Sequence, residues 1–322
     1  MAKTGTFNET ATPAKSGKTH DYGRFNYVSL AWPMGGLSLL AMIVSVVLVF
    51  TKGMNYGIDF VGGTEIHVKF DQAVDAGALR AAVEGVGIDN PSVQTFGSEN
   101  EFLIRLETPV APTEKQTNEL ITQNVTKIRT ALATQFSLKE EGVLRVDSVG
   151  PQVGSELKRN GFLAAFYCFL MILIYVSVRF DYKFAPGAVI CLIHDAVLVI
   201  GVFSLLGREF NVQIMAAILA LIGYSLNDTI VTFDRIRETY PENREKGMAW
   251  VINRAINDMM GRTLLTAFTT MLAVVALFIF GGGVISEIAF ALIIGIVFGV
   301  YSSIYVAAPL ILAMEKLKRK PA

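Results

Sequence analysis

Asp228 is the residue of this sequence whose type and position say most about chemistry. It lies in an apolar run at 210–233, and a carboxylate near the centre of a membrane-spanning helix costs about 2.5 to 3.5 kcal/mol on insertion scales. Such a residue faces water or the interior of a helix bundle, where burial disfavours its charged form and lets it bind a proton near neutral pH. Helical spacing places Tyr224, Ala220 and Ala217 on the same face. The predicted chemistry is proton transfer.

Arg262 is the basic residue that we expect to act on Asp228. It opens the next apolar run from the same side of the membrane, and a polar stripe continues its helix face at Thr266, Thr269 and Thr270. An arginine–carboxylate contact would hold the acid ionised until protonation released it. Two alternatives stay open: Arg262 as a basic anchor at the membrane surface, and Asp228 as a side chain that snorkels to the interface.

A second pair of ionisable residues, His194 and Asp195, lies at the middle of another apolar run. Neighbouring helix positions point about 100° apart, so the pair cannot easily chelate one metal ion. A chain with three His and two Cys is a poor candidate for a metal site in any case. A secondary proton site and an interhelical hydrogen bond are equally good interpretations. Together with Asn227 and Tyr224 beside Asp228, this pair completes the candidates for a proton relay.

Small residues recur at every fourth position of the last apolar run, which includes Gly295, Gly299 and Ser303. One face of this helix therefore carries no bulk and allows another backbone to approach closely. The face serves either packing within the chain or docking against another subunit.

These residues are positioned by apolar runs long enough to cross about 30 Å of hydrocarbon at 1.5 Å per residue. Of the 322 residues, 52% are hydrophobic and 17% are charged, with 28 basic and 28 acidic side chains. This composition excludes an ordinary soluble enzyme and a basic nucleic-acid-binding protein. We predict an α-helical polytopic membrane protein with six transmembrane helices, at 31–50, 161–178, 185–206, 210–233, 263–280 and 288–312.

The distribution of Lys and Arg sets the orientation of these helices. Sixteen basic residues lie in the segments 1–30, 179–183, 235–262 and 316–320, whereas the short loops on the other side carry Arg208. We therefore expect both termini, the tail 1–30 and the basic tail 315–322, in the cytoplasm. Residues 51–160 then lie on the outer side.

Residues 51–160 hold eleven basic and fifteen acidic side chains, too many charges for a segment in lipid. The segment is also too long for a simple loop. Alternation of period two predicts strands and helical spacing predicts helices, in the order β-α-β-β-α-β. The segments are 65–70, 75–84, 92–96, 102–106, 113–136 and 143–149. The prediction is an α+β ferredoxin-like domain between the first two transmembrane helices, a fold that hosts many functions.

Two connecting segments have patterns of their own. A Gly/Pro segment at 150–154 joins the external domain to the second transmembrane helix and predicts either a hinge or a tight turn. On the inner side, apolar residues recur at helical spacing from Met248 to Met259 beside Arg254 and Asp258. This pattern predicts an interfacial amphipathic helix within a cytoplasmic segment at about 234–261.

Two classes of enzyme are disfavoured by the motifs. The glycines of the segment 57–64 are not followed by the Lys of an ATP-binding phosphate loop. An intramembrane aspartyl protease needs two facing catalytic aspartates. Asp195 and Asp228 superficially qualify, but Asp228 follows Asn227 rather than the Gly of that protease signature. We expect no enzymatic activity, no metal and no cofactor.

Three motifs resemble the SecF family of bacterial protein-export membrane proteins. They are Gly57-Ile-Asp-Phe-Val-Gly-Gly-Thr64, Val149-Gly-Pro-Gln-Val-Gly154, and the stretch from Ile222 to Glu238 that contains Asn227-Asp228. The third motif is highly specific, and the likeness extends over about residues 22–313. Arg262-Thr263 and Phe280-Gly281-Gly282 are also similar to the family.

The resemblance implies one half of an RND-type transporter, which SecD completes and which uses the proton-motive force to help precursor proteins leave the SecYEG channel. It places the chain in the bacterial inner membrane, in contact with lipid, and release of the precursor on the periplasmic side. YajC and YidC are further implied partners. Asp228 matches the proton-responsive acid of the family and Arg262 its basic partner. The residues implied as family motif or hinge are Gly57, Asp59, Gly62, Gly63, Gly150, Pro151 and Gly154.

Two other functions fit the same residues. A proton-coupled exporter of small molecules shares the RND architecture but needs a large ligand-binding cleft, for which the external domain is small. A scaffold without transport would hold its partners through the small-residue face. Such a scaffold would tolerate substitution of Asp228 but not bulky residues at Gly295 or Gly299.

Overall fold

The computed structural model describes residues 23–96, 98–107, 114–179 and 185–318. Most of the predicted tail 1–30, Thr113 at the start of a predicted helix, and the end of the basic tail 315–322 lie outside these residues. The α-helices, in chain order, are α1 (Tyr27–Thr51), α2 (Ile58–Val61), α3 (Ala76–Glu84), α4 (Glu114–Phe136), α5 (Pro151–Arg179), α6 (Ala185–Leu206), α7 (Val212–Thr239), α8 (Met248–Phe280), α9 (Gly283–Ser302) and α10 (Ala308–Lys318). The strands are β1 (Asn55–Tyr56), β2 (Gly63–Lys69), β3 (Ser92–Phe96), β4 (Ser98–Leu106), β5 (Val143–Val149) and β6 (Glu209–Phe210).

Six helical spans in the described residues are long and apolar enough to cross a membrane, one for each predicted apolar run. They are α1, α5, α6, α7, α8 and a continuous last helix in which a π-helical turn at Ser303–Ala307 joins α9 to α10. The prediction of six helices is confirmed, and most of the helices extend beyond the apolar run. Pro151, for example, begins α5 well before the apolar residues do, which suits a residue with a fixed φ and no N–H to pair.

The helices α6 and α7 form the centre of the membrane part. The most apolar window is 56% buried in α6 and 44% buried in α7, against 11% in α1 and in α5. The central helices are therefore covered by their neighbours within the chain, whereas the outer helices expose apolar faces that suit lipid or a partner.

The segment around Met248–Met259 differs from the prediction of a separate interfacial helix. It forms the first part of α8, which continues without a break into the fifth span. Val251, Ile252 and Ala255 are fully buried, in a core shared with α6, α7 and α10. The apolar stripe is covered by helices of the same chain, and for that reason it does not need the membrane surface.

The domain between α1 and α5, named the external domain after its predicted side of the membrane, is a four-stranded antiparallel sheet in the order β3-β4-β2-β5. The helices α3 and α4 pack on one face of the sheet. The predicted order β-α-β-β-α-β is found along the chain from β2 to β5. Period-two alternation places Ile66 and Val68 of β2 in the core, where they are 2% and 0% exposed. Asp75 caps α3, because its carboxylate accepts a hydrogen bond from the N–H of Ala78 at 2.8 Å.

Candidate functional site

Asp228 lies on α7 with its side chain turned inward, 6% exposed, while the neighbouring Asn227 is exposed. One turn before it, the hydroxyl of Tyr224 donates a hydrogen bond to Thr270 of α8 at 3.4 Å. Arg262, also on α8, is the basic residue whose charge acts on the Asp228 carboxylate. The predicted acid and base thus lie on two adjacent helices.

The threonine stripe of α8 reaches α7 at one point. Thr266 donates to the carbonyl of Arg262 at 3.0 Å, and Thr270 donates to the carbonyl of Thr266 at 2.9 Å. These hydroxyls satisfy their own donors along the helix, and that of Thr270 also accepts from Tyr224. Arg262 is exposed. The stripe therefore meets the relay candidates at Tyr224, and the guanidinium of Arg262 lies where water or a partner can reach it.

His194 and Asp195 form a buried chain of hydrogen bonds that ties three helices together. Both side chains of α6 are 0% exposed. The two side chains are in contact, with 3.0 Å between His194 Nδ1 and Asp195 Oδ1, and Ser38 Oγ of α1 lies 2.5 Å from His194 Nε2. Ser225 of α7 donates to Asp195 Oδ2 at 2.6 Å. The pair thus makes interhelical hydrogen bonds, and its role as a secondary proton site stays a prediction.

Removal of the Ser225 hydroxyl should destabilise the protein, because it leaves one oxygen of a buried carboxylate without its donor. We expect Ser225→Ala to cost about 1 to 3 kcal/mol of unfolding free energy, measured as a lower melting temperature of the detergent-solubilised chain. Ser177→Ala is the matched control, since Ser177 is half-buried and its hydroxyl donates to the Leu173 carbonyl of its own helix rather than to a buried carboxylate. Equal melting temperatures for the two variants would contradict the assignment.

The small-residue face of α9 packs within the chain. A Cβ on Gly295 would overlap the side chain of Leu221 of α7, and a Cβ on Gly299 would lie 3.2 Å from Ser225 Oγ. Ser303 Oγ lies 3.2 Å from the hydroxyl of Thr229, also on α7. Of the two interpretations of this face, the structure supports packing against the helix that carries Asp228.

The glycines of the segments 57–64 and 150–154 lie against each other. A Cβ on Gly62 would come within 2.9 Å of Pro151 Cα, and a Cβ on Gly154 within 2.9 Å of the Gly62 nitrogen. Gly63 faces the Leu106 carbonyl, 2.7 Å from where its Cβ would be. Gly62 and Gly154 bring α2 against the start of α5 with no room for a side chain, which favours the tight turn over the hinge at 150–154.

The short helix α2 also touches the helix that carries Asp228. Asp59 of α2 accepts a hydrogen bond from the N–H of Val212 at 3.1 Å. Val212 is the first residue of α7, where backbone N–H groups are unpaired and the helix dipole favours a negative charge. The outer end of α7 is thus bound to the segment that leads into the external domain.

Sequence reasoning missed a group of charged residues at the same place. Arg105 of β4 donates to Glu65 of β2 at 2.8 Å and also contacts Glu209, which lies between α6 and α7. Beside them, Arg208 bonds both oxygens of Glu287 at 2.7 Å. The pair Glu65–Arg105 is a cross-strand neighbour pair, but no local pattern indicates its contact with Glu209, because the latter lies far along the chain.

Two family profiles match the chain. Residues 127–317 match the C-terminal part of the protein export membrane protein SecD/SecF, and residues 47–74 match the SecD/SecF GG motif. The second range contains Gly62-Gly63. The protein translocase subunit SecF of Calditerrivibrio nitroreducens is 42% identical over 287 residues, which are 88% of this chain and 92% of that protein. The chain belongs to the SecF family.

Other members of the SecF family are similar over nearly their whole length. SecF of Magnetococcus marinus is 43% identical over 92% of this chain and 94% of its own length. Among solved structures, SecDF from Thermus thermophilus, described as a translocon-associated membrane protein, matches with a TM-score of 0.82 and 35% identity. The match covers 91% of this chain and 39% of the SecDF chain. A SecF chain is a multi-pass membrane protein that acts as an accessory subunit of the Sec protein translocase.

Proposed function

We propose that this SecF chain, together with SecD, uses the proton-motive force to promote the export of precursor proteins and their release on the outer side of the membrane. The observation that carries the proposal is Asp228, a carboxyl group 6% exposed within a transmembrane helix and under the influence of a basic residue on the next helix. A carboxyl group is costly in lipid. Ionisable residues within transmembrane segments therefore mark functional sites such as proton relays. Reversible protonation is the chemistry that fits it.

The same proposal includes the membrane location, the orientation and the partner proteins of the chain. It lies in the bacterial inner membrane with both termini in the cytoplasm and the domain between α1 and α5 in the periplasm, as the distribution of basic residues favours. We class that domain as ferredoxin-like, supported by its order of elements and its sheet order. SecD supplies the complementary half, and SecYEG with the precursor chain is the machinery on which the pair acts. YajC and YidC are further partners, on the resemblance alone.

Protonation of Asp228 provides the driving step. One elementary charge that crosses 100 mV is worth about 2.3 kcal/mol, so a few protons suffice to bias a movement between two packed arrangements. A proton on Asp228 removes its attraction for Arg262 and lets α7 and α8 repack. The outer end of α7 carries the change outward, since Asp59 binds Val212 there. The His194–Asp195 pair is a secondary proton site on the same central helices.

The experiment that tests this function uses inverted inner-membrane vesicles from a strain depleted of the chain and from the same strain with the chain restored. The rate of precursor release is measured with the proton gradient intact and with the gradient collapsed by a proton ionophore. We expect the gradient to stimulate release only in the restored vesicles. Equal stimulation in both would contradict proton coupling through this subunit and favour the scaffold.

A further inference from the structure

An arginine shared by two carboxylates lies where the external domain meets the membrane part. Arg105 Nε donates to Glu65 Oε2 at 2.8 Å, both on the sheet of the external domain. The other end of the same guanidinium contacts the carboxylate of Glu209, in the short connection between α6 and α7. Asn55 accepts a second hydrogen bond from Arg105 at 3.3 Å. One side chain of the external domain is therefore bound to both sides of the junction.

This cluster is poorly hydrated and its charges do not cancel. The side chains of Arg105, Glu65 and Glu209 are 12%, 16% and 12% exposed. Two carboxylates against one guanidinium leave one negative charge in excess. A single buried excess charge is unfavourable in a medium of low dielectric constant, and one proton removes it.

The neighbouring arginines are bonded to other carboxylates. Arg208 pairs with both oxygens of Glu287 at the start of α9, and Arg145 of β5 bonds to Asp147 beside it. Asp59 of α2 adds a further carboxylate nearby. The charged groups that face Glu209 from the packed elements are Glu65 (β2), Arg105 (β4), Asp59 (α2) and Glu287 (α9), with Arg145 of β5 acting on Glu65 and Asp59.

Glu209 also belongs to a strand pairing that ties the connection between α6 and α7 to the segment between α1 and α2. The strands β1 and β6 pair in parallel, with Asn55 opposite Glu209 and Tyr56 opposite Phe210. The N–H of Gly57 donates to the Phe210 carbonyl at 2.9 Å. A Cβ on Gly57 would overlap the Glu209 carboxylate, so the glycine leaves room for that side chain at the closed junction.

We propose that Glu209 is a proton-binding site on the outer side of the membrane, and that the junction of β1 with β6 closes when Glu209 takes up a proton and opens when it loses the proton. The proton comes from the aqueous phase on that side and binds to a carboxylate oxygen of Glu209. Arg105 then pairs with Glu65 alone, and the cluster is neutral.

The direction of the effect follows from the environment of Glu209. Burial, and then the charges of Glu65, Asp59 and Glu287, oppose its ionisation more than Arg105 favours it, which raises the pKa of Glu209 to about 7 in the closed junction. In an open junction the exposed side chain has the ordinary value of about 4.3. A proton binds more tightly to the closed state and so stabilises it. The stabilisation is present at low pH and is lost as the pH rises through 7.

Hydrogen exchange of the Gly57 amide measures this opening in the SecD–SecF complex in lipid nanodiscs. After correction for the intrinsic pH dependence of exchange, the opening constant should rise roughly 40-fold between pH 5 and pH 7 in the wild type. Glu209→Gln mimics the protonated side chain and should give a small, pH-independent constant. Glu101→Gln is the matched control, a carboxylate in the sheet of the external domain that is 14% exposed and is paired with Lys69 and His67; it should keep the wild-type pH dependence. A wild-type constant that does not change with pH overturns the proposal.

A second measurement uses the wild-type complex, so its main result does not depend on whether a variant folds. An apolar carbodiimide reacts with protonated carboxyl groups, and mass spectrometry of the wild-type complex should find Glu209 labelled at pH 6 and unlabelled above pH 8. In Arg105→Gln the loss of labelling should move to higher pH, because the one charge that favours ionisation is gone. Labelling that is the same at pH 6 and pH 8 overturns the proposal. The inference rests on the proposed function only in placing Glu209 on the outer side of the membrane. Neither experiment measures transport, so the proton site at Glu209 and the proposed function can each fail independently.

Discussion

Vesicles that carry Asp228→Asn should release precursor no faster with a proton gradient than without one. Asparagine keeps the shape of the side chain and can still accept a hydrogen bond, but it has no ionisable proton. The buried position, 6% exposed, then holds a neutral group at all times and cannot respond to the gradient. We expect the stimulation to fall to the level of vesicles that lack the chain, while the basal rate of release is unchanged.

Asp234→Asn is the matched control for this substitution. Asp234 lies on the same helix, α7, and its side chain is 42% exposed in a loose ion pair with Arg179 at 3.7 Å. An exposed pair of this kind contributes little to stability, so the control should keep full stimulation. Co-purification with SecD shows that both variants assemble. Full stimulation in assembled Asp228→Asn complexes would rule out this residue as the proton carrier.

Asp228 could be found from the sequence because the neighbouring residues alone show that its charge lies in an apolar run, where it is energetically costly. The same reasoning finds His194 and Asp195 but leaves their role open, since the donors that satisfy them come from other helices: Ser38 of α1 and Ser225 of α7. Hydrophobic periodicity predicts where a helix lies. It does not predict which neighbour covers each face, and that neighbour supplies the hydrogen-bond partners of the buried polar side chains.

The apolar stripe from Met248 to Met259 illustrates the same limit. Its spacing is that of an interfacial helix, but in the structure Ile252 and Ala255 are buried by helices of the same chain. The charged face is also used within the chain, because Arg235 of α7 bonds Asp258 at 2.6 Å. A helix with one apolar and one charged face has the same pattern on a membrane surface and on another helix, so the pattern alone cannot decide.

Arg105, Glu65 and Glu209 lie beyond what the sequence could show. Each is an ordinary charged residue in a polar segment, and their proximity arises only when β4, β2 and the α6–α7 connection meet. The glycines at the same junction are different. Their family motif marks them as special, and the structure gives the reason: no side chain fits between α2 and α5 at Gly62 or Gly154, or beside the Leu106 carbonyl at Gly63.

Gly62→Ala should strongly destabilise the junction between the external domain and the membrane part. The backbone of Gly62 has φ 80° and ψ 164°, a region that residues with a Cβ adopt at a cost of about 1 to 3 kcal/mol. The new Cβ would also lie 2.9 Å from Pro151 Cα and 3.1 Å from its nitrogen. Both are backbone atoms and cannot rotate away, so α2 must separate from the start of α5.

Gly247→Ala is the control that separates the cost of the backbone conformation from the cost of the close contact with Pro151. Gly247 has nearly the same backbone angles, φ 80° and ψ 159°, but a Cβ there meets nothing within 4 Å. It should therefore show the conformational cost alone. We expect Gly62→Ala to exceed it by about 2 kcal/mol, which corresponds to roughly 3 °C in melting temperature for a protein of this size.

The position of Gly62 makes the functional loss larger than the loss in stability. Gly62 directly follows α2, the helix whose Asp59 accepts a hydrogen bond from Val212 at the first turn of α7. If α2 moves away from α5, the outer end of the helix that carries Asp228 loses a connection to the external domain, and protonation no longer moves that domain. Gly62→Ala complexes that still assemble with SecD should lose gradient-stimulated release, whereas Gly247→Ala complexes keep it. Equal melting temperatures and equal stimulation for the two variants would show that the close contact with Pro151 carries neither stability nor coupling.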